Sequence, residues 1–173
     1  MVNGSYHSGI GAPENYRPFR EFSLLKSLHE ESFPCPKPVF AAARRICGGL
    51  CYQGFIGTER MAGYLNFLEW LSSSNNTDSR SVYSKRAGEL CDQLLSLGVF
   101  HTDLHPGNVL VDIDSQDVVV IDFDKYREVE QDEIDIVRSK QEARWSRSLR
   151  KHFDVSGEIV RDTESSFQKG LRS

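Results

Sequence analysis

The sequence predicts an α+β fold. Apolar residues recur at intervals of three and four over 17–32, 81–97 and 130–152, the period of an amphipathic helix. Between these stretches lie two pairs of short β-branched or alternating runs, 39–46 with 50–56 and 109–111 with 118–121. Polar or proline-rich segments punctuate the pattern. The 173 residues suffice for a hydrophobic core, and 39% hydrophobic with 27% charged residues is the composition of a globular protein. A net charge of -4 disfavours nucleic acid as a partner. There is no apolar run long enough to span a bilayer, and Met1-Val-Asn-Gly-Ser-Tyr-His7 has neither the basic start nor the apolar stretch of a secretory signal. A cytoplasmic protein is expected. Cys35, Cys47, Cys51 and Cys91 have no CxxC spacing and read as reduced, partly buried thiols.

Each element has a local reason. Residues 1–16, rich in Gly, Ser and Asn, read as loop. Phe19, Phe22, Leu25 and Leu28 then form a helical stripe, with Pro18 suited to a first turn. Phe33-Pro-Cys-Pro-Lys-Pro38 forces an extended connection, because proline fixes φ and disfavours helix before it. Gly48-Gly49 joins the first two strand runs as a hairpin. A short helix is expected over 64–71, then a polar loop, Ser72-Ser-Ser-Asn-Asn-Thr-Asp78. Ala87, Leu90, Cys91, Leu94 and Leu97 mark one face of a long helix that Gly98 ends. Asp112-Ile-Asp-Ser-Gln-Asp117 separates the second strand pair. The last predicted helix carries Ile134, Val137, Gln141, Trp145 and Leu149 inward, with Arg144, Arg147, Arg150 and Lys151 at its C-terminal end, where cations suit the helix dipole. The polar tail after Asp154 is expected to fray.

The chemistry concentrates in His101-Thr-Asp-Leu-His-Pro-Gly-Asn108 and the hairpin that follows it. The loop reads H-x-D-L-x-x-x-N and the second strand ends in Asp122-Phe-Asp124, the pattern of the catalytic half of protein-kinase-like enzymes. A hairpin delivers both of its ends to one place. Asn108 and Asp122 are therefore expected to converge on Mg²⁺, which needs few protein oxygens and takes the rest from phosphate and water. Asp103 would meet an acceptor hydroxyl. His101 is expected to brace the loop through backbone hydrogen bonds. His105 is either a solvent-facing loop residue or part of the site. Asp124 is either a second metal neighbour or a turn residue.

A family resemblance extends beyond the loop, over about Arg17 to Phe153. Glu21-Phe-Ser-Leu-Leu-Lys-Ser-Leu-His29 and Phe33-Pro-Cys-Pro-Lys-Pro-Val39 resemble a stretch of bacterial lipopolysaccharide kinases. Cys51-Tyr-Gln53, Thr58-Glu-Arg60, Leu97-Gly-Val-Phe-His-Thr-Asp-Leu104, Ile121-Asp-Phe-Asp-Lys125 and Arg147-Ser-Leu-Arg-Lys151 continue the likeness in order. Together they are most similar to the 3-deoxy-D-manno-octulosonic acid (Kdo) kinases. The resemblance implies a protein-kinase-like fold: an N-terminal loop at 1–16, a partial small lobe and hinge at 17–61, and a large catalytic lobe at 62–173. It implies an ATP- and Mg²⁺-dependent phosphotransferase acting on a Kdo sugar of a lipid A precursor, with peripheral membrane contact made through that substrate. Asp103 would be the catalytic base or orienting carboxylate, and Asn108 and Asp122 the metal ligands. Glu21 would lie on the helix that pairs with the ATP-binding lysine, or be an exposed helix acid. Glu59, Arg60 and Met61 would form the hinge whose backbone meets adenine.

Two features depart from the family pattern. His105-Pro-Gly107 is more typical of aminoglycoside and choline kinases, although the basic run at 147–151 argues against that acceptor class. Before Arg17 there is no G-x-G-x-x-G, Gly9-Ile-Gly11 has no strand ahead of it, and no lysine precedes Lys26. The chain therefore reads as an N-terminally truncated kinase whose small lobe is a loosely held hairpin. Three functions stay open: a Kdo kinase, another small-molecule kinase, or an inactive kinase-like module.

Overall fold

Prolines and glycines set the punctuation of this chain, and the computed structural model shows where several of them act. It describes residues 2–8 as backbone, and 16–46, 51–74, 76–155 and 157–172 in full. They form two units, Met1–Ala62 and Gly63–Ser173.

In the first unit, α1 (Arg17–Glu30) opens with Pro18 in its first turn and buries Leu25 and Leu28. Ser32 takes a left-handed φ of 58°, and the Phe33 N–H donates back to the Leu28 carbonyl, so the helix stops without a glycine. A three-stranded antiparallel sheet follows, ordered β1 (Val2–Ser8), β3 (Cys51–Thr58), β2 (Pro38–Ile46). This corrects, over 2–8, the loop expected for 1–16; it also corrects the lone hairpin and the expectation that no strand stands ahead of Gly9-Ile-Gly11. β3 has two edges, β2 satisfies one and β1 the other, from Val2 opposite Gly57 to Ser8 opposite Cys51. Backbone pairing overrode a composition that reads as loop. Gly54 lies under the Pro18 ring and Gly57 under Phe40, so both glycines serve close approach. The Gly48-Gly49 turn, Gly9-Ile-Gly11 and Cys47 fall outside the described residues. Cys35, Cys51 and Cys91 are free thiols, as expected.

In the second unit the chain enters through β4 (Tyr64–Asn66) and turns into α2 (Phe67–Ser73). The helix expected over 64–71 therefore starts three residues late. Asn66 is the reason: its Oδ1 accepts from the Leu68 and Glu69 N–H groups as an N-cap. α3 (Thr77–Ser96) starts before its apolar stripe because Asn76 caps it in the same way, and Gly98 follows it at φ 73°. Next come β5 (Val99–His101), a 3-10 turn (Pro106–Asn108), the hairpin β6 (Val109–Asp112) and β7 (Val118–Val120), a second 3-10 turn (Phe123–Lys125) and β8 (Tyr126–Glu128). β4 and β7 flank β6, while β5 pairs with β8. α4 (Ile134–His152) buries Val137, Gln141, Trp145 and Leu149, the stripe expected from the sequence.

The tail after Asp154 is not frayed. It forms α5 (Glu158–Gly170), which buries Val160, Thr163, Ser166, Phe167 and Gly170. The Phe167 ring stacks on Trp145 at 4.1 Å between centroids. α5 lies against α3 backbone to backbone: a Cβ on Gly88 would meet the Phe167 carbonyl, and one on Gly170 would meet the Lys85 carbonyl. Small buried residues at three- and four-residue spacing carry this contact, so the segment is polar in composition yet amphipathic in space. The α3 residue Arg80 is 4% exposed and pairs with Asp162 at 3.6 Å, which fastens the N-terminal half of α5. No helix among the described residues is long and apolar enough to cross a membrane.

Candidate functional site

β5 ends at His101, whose ring is 2% exposed and works as a two-ended brace. Nε2 lies 3.1 Å from the Ile121 carbonyl, and Nδ1 accepts the Asp103 N–H at 3.2 Å. That pattern assigns the proton to Nε2 of a neutral imidazole. Burial pulls the ring's pKa down from 6.5 to about 4. The unfolded ring protonates near 6.5 and the folded ring only near 4, so the unfolded state binds more protons between those values. This contribution is fully present above pH 6.5 and is lost as pH falls toward 4. It amounts to about 3 kcal/mol. Urea unfolding at pH 7.5 and 4.5 should show this loss in the wild type, and His101→Gln should flatten the difference.

Asp103 follows on the same loop, with its side chain 17% exposed. Lys125 Nζ lies 3.1 Å from Oδ2, and Arg144 of α4 forms an ion pair with Oδ1. The His105 Nε2 stands 3.8 Å from Oδ1, beyond a direct hydrogen bond. Two cations thus face one carboxylate. Lys125 is fixed there because its backbone carbonyl accepts from both the N–H and the hydroxyl of Thr102. Arg144 is fixed because α4 is tied to the loop: Gln141 Nε2 donates to the Leu104 carbonyl at 2.7 Å.

His105-Pro-Gly107 builds the turn. His105 Nδ1 accepts the Gly107 N–H at 3.0 Å, and a Cβ on residue 107 would stand 2.9 Å from the His105 ring. Asn66 Nδ2 donates to the Gly107 carbonyl at 2.7 Å, which links the cap of α2 to this turn. Asn108 is 8% exposed; its Nδ2 donates to the Asp103 carbonyl at 3.0 Å, so its orientation is set by the loop that carries Asp103.

The hairpin joins the two ends of the constellation. Val109 pairs with Val120, and the Ile121 N–H donates to the Asn108 carbonyl at 3.0 Å. Asn108 therefore lies one step from Asp122. Asp122 adopts the left-handed conformation, φ 66° and ψ 63°, which Asp tolerates better than most residues but which still costs energy. Desolvation first, and then the neighbouring Asp124 charge, raise its pKa above the ordinary carboxylate value, against the pull of Lys125 and His105. The protein thus presses two carboxylates together at the end of β7.

The expected site residues of the second unit, Asp103, Asn108 and Asp122, are brought together. Glu21 is half-buried on α1 of the first unit. In the same unit the Glu59 N–H donates to the Lys37 carbonyl at 2.9 Å, and its carboxylate pairs with Lys37 Nζ at 3.4 Å. The Arg60 carbonyl accepts from the Ala62 N–H at 3.0 Å. Sequence reasoning missed Arg144 and Lys125. Arg144 had a legible signal: with Val137 and Gln141 it forms an i, i+4, i+7 set on the buried stripe, an odd place for a solvating charge. For Lys125 the sequence held no signal beyond its place one turn after Asp122.

The model of the lipopolysaccharide kinase (Kdo/WaaP) family matches residues 10–158. A 3-deoxy-D-manno-octulosonic acid kinase of Pasteurella multocida (strain Pm70) is 37% identical over 126 residues, covering 72% of this chain and 50% of its own. One from Actinobacillus succinogenes is 32% identical over 162 residues, covering 92% of this chain and 63% of its own. A solved structure described as WaaP in complex with acyl carrier protein superposes with a TM-score of 0.66 at 18% identity, over 99% of this chain and 70% of that one, a likeness of fold. The chain spans about half the length of the first curated relatives it matches. With most of its length matched, the chain belongs to the lipopolysaccharide kinase (Kdo/WaaP) family.

Proposed function

We propose that this chain carries the phosphoryl-transfer machinery of a kinase that moves the γ-phosphoryl of ATP onto a hydroxyl of a Kdo sugar on a lipid A precursor. The observation that carries the reading is the shared anchoring of Asp103 and Asn108, with Asp122 one backbone step away across the β6–β7 hairpin. In the step, the acceptor oxygen attacks the γ-phosphorus and the bond to the β,γ-bridging oxygen breaks. ADP leaves with that electron pair, and the hydroxyl proton passes to the Asp103 carboxylate. Phosphoryl transfer needs alignment and charge neutralisation more than covalent help. Asp103 orients the hydroxyl, Arg144 holds Asp103, and Lys125 puts a positive charge where the equatorial phosphoryl oxygens gather negative charge.

Asn108 and Asp122 would hold Mg²⁺, with Asp124 beside them. Among the described residues no three His, Cys, Asp or Glu side chains form a metal cage. The donor set is carboxylate plus amide oxygen, which suits an ion that completes its shell with phosphate and water. Two crowded carboxylates, one with a raised pKa, are the electrostatic counterpart of a divalent cation. When bound, the metal would neutralise charge on the β- and γ-phosphates. In the first unit, the Glu59 N–H and Arg60 carbonyl are engaged within the backbone, so the Arg60 and Met61 N–H groups are the proposed donors to adenine. Glu21 stays proposed only as a residue of the helix that pairs with an ATP-binding lysine in such kinases, since this sequence has no lysine before Lys26. Membrane contact would come through the amphiphilic acceptor.

The His105-Pro-Gly107 departure supports no change of acceptor class. Its histidine caps a turn and its glycine makes room for that ring, which is a local structural role. The test is steady-state kinetics with titrated Mg²⁺ on the full-length protein. Asp122→Ala should raise the Mg²⁺ and ATP concentrations needed for half-maximal rate and also lower turnover. Asn108→Ala should fall between that variant and the wild type. An unchanged Mg²⁺ requirement in Asp122→Ala would remove Asp122 from the metal site.

A further inference from the structure

Helix α4 carries more cations than the fold uses. Arg150 is consumed by a two-point pair with Glu164, at 3.0 and 3.2 Å. Arg138 is consumed by Asp92 and Asp135. Arg147 and Lys151 are exposed and have no acidic partner among the described residues. Both line an open groove of about 670 Å³ together with Glu142, Ser146 and Arg150 of α4 and Gln168 of α5, and the Glu142 carboxylate there is paired with Arg172 at 2.9 Å. Arg144, Arg147 and Lys151 stand at i, i+3 and i+7, one continuous stripe of the helix. Arg144 is the residue that touches Asp103. The stripe therefore begins at the proposed reacting carboxylate, and its next two members, Arg147 and Lys151, line the groove. Helix rise puts Arg147 about 5 Å and Lys151 about 10 Å along the axis from Arg144. That is the span of one eight-carbon sugar acid with its substituents.

We infer that Arg147 and Lys151 form an anion subsite that binds an acidic group of the acceptor while its hydroxyl lies on Asp103. The subsite rests on the kinase reading above and adds its acceptor-recognising residues. The ligand chemistry is an oxyanion carried by a sugar, either the carboxylate of the sugar acid or a phosphate elsewhere on the glycolipid. Guanidinium and ammonium groups on an exposed groove recognise both. The placement separates two jobs on one helix: Arg144 positions the reacting carboxylate, and the next turns choose the acceptor.

The experiment compares wild type, Arg147→Ala/Lys151→Ala and the charge-keeping Arg147→Lys/Lys151→Arg, all in the full-length protein. Expected is a rise of about tenfold or more in the KM for Kdo-lipid in the alanine pair. The ATP KM and kcat should stay near wild type, and the charge-keeping pair should recover most of the loss. Two altered acceptors separate the sources. If the carboxylate is read, its methyl ester should be a weaker substrate for wild type and no weaker for the alanine pair. If a phosphate is read, the dephosphorylated acceptor should show that behaviour instead. An unchanged acceptor KM overturns the inference. So does loss of binding to phosphatidylglycerol vesicles with acceptor KM kept, since the cations would then serve the membrane surface. Binding of Kdo-lipid micelles without ATP keeps the two readings apart. Cation-dependent binding by a protein that transfers no phosphoryl would sink the kinase and leave the subsite standing.

Discussion

Asp103→Ala should lower the turnover of the full-length protein by about a hundredfold or more while leaving MgATP binding nearly unchanged. The split follows from the contacts. Asp103 meets Lys125 and Arg144 through its carboxylate, whereas Asn108 is held by the Asp103 backbone carbonyl, which survives the substitution. The proposed metal ligands therefore keep their placement when the carboxylate is removed. Asp103→Asn, which keeps the shape and removes the charge, should fall nearly as far. Kinetics and calorimetric ATP binding on the same preparations check both halves. A variant retaining most of its activity would show that Asp103 does not orient the hydroxyl. Asp124→Ala runs beside it as a control: a loss as large as that of Asp122→Ala would mean that two carboxylates share the metal.

The second large effect is on stability. Gly170→Ala should destabilise the second unit by about 3 kcal/mol, and Gly88→Ala by a comparable amount. Each added methyl runs into backbone of the facing helix, which cannot move aside as a flexible side chain would. The damage would spread through Phe167 to Trp145, and so to the helix that supplies Arg144. Urea unfolding with circular dichroism reads the effect. Gly63→Ala is a useful contrast: its Cβ would meet nothing within 4 Å, so its cost should come from its φ of 87° alone.

The candidate site's loop was legible because its residues are chemically specific and closely spaced. His101, Asp103, Asn108 and Asp122 lie within one loop and one hairpin, and a hairpin's geometry is fixed by local pairing. The brace role of His101 was legible for the same reason, and the structure bears it out. Arg144 was hidden because its partner lies far away in sequence and helix-end cations have a ready explanation in the dipole. α5 was hidden because its contact with α3 uses glycine, serine and threonine, which carry almost no hydrophobic signal. β1 was hidden because Val2-Asn-Gly-Ser-Tyr-His-Ser8 becomes a strand through what β3 offers it. The short helix was placed three residues early because Asn66, which ends a strand and caps a helix at once, was read as helix interior.

The most direct test of the account is transfer of the labelled γ-phosphoryl from ATP by the full-length protein, offered Kdo-lipid, an aminoglycoside and choline in parallel. Label on the Kdo sugar, and absent when Asp103 is replaced by alanine, is the predicted result. Label on the aminoglycoside or choline and none on Kdo-lipid, or transfer to Kdo-lipid that survives Asp103→Ala, would contradict it.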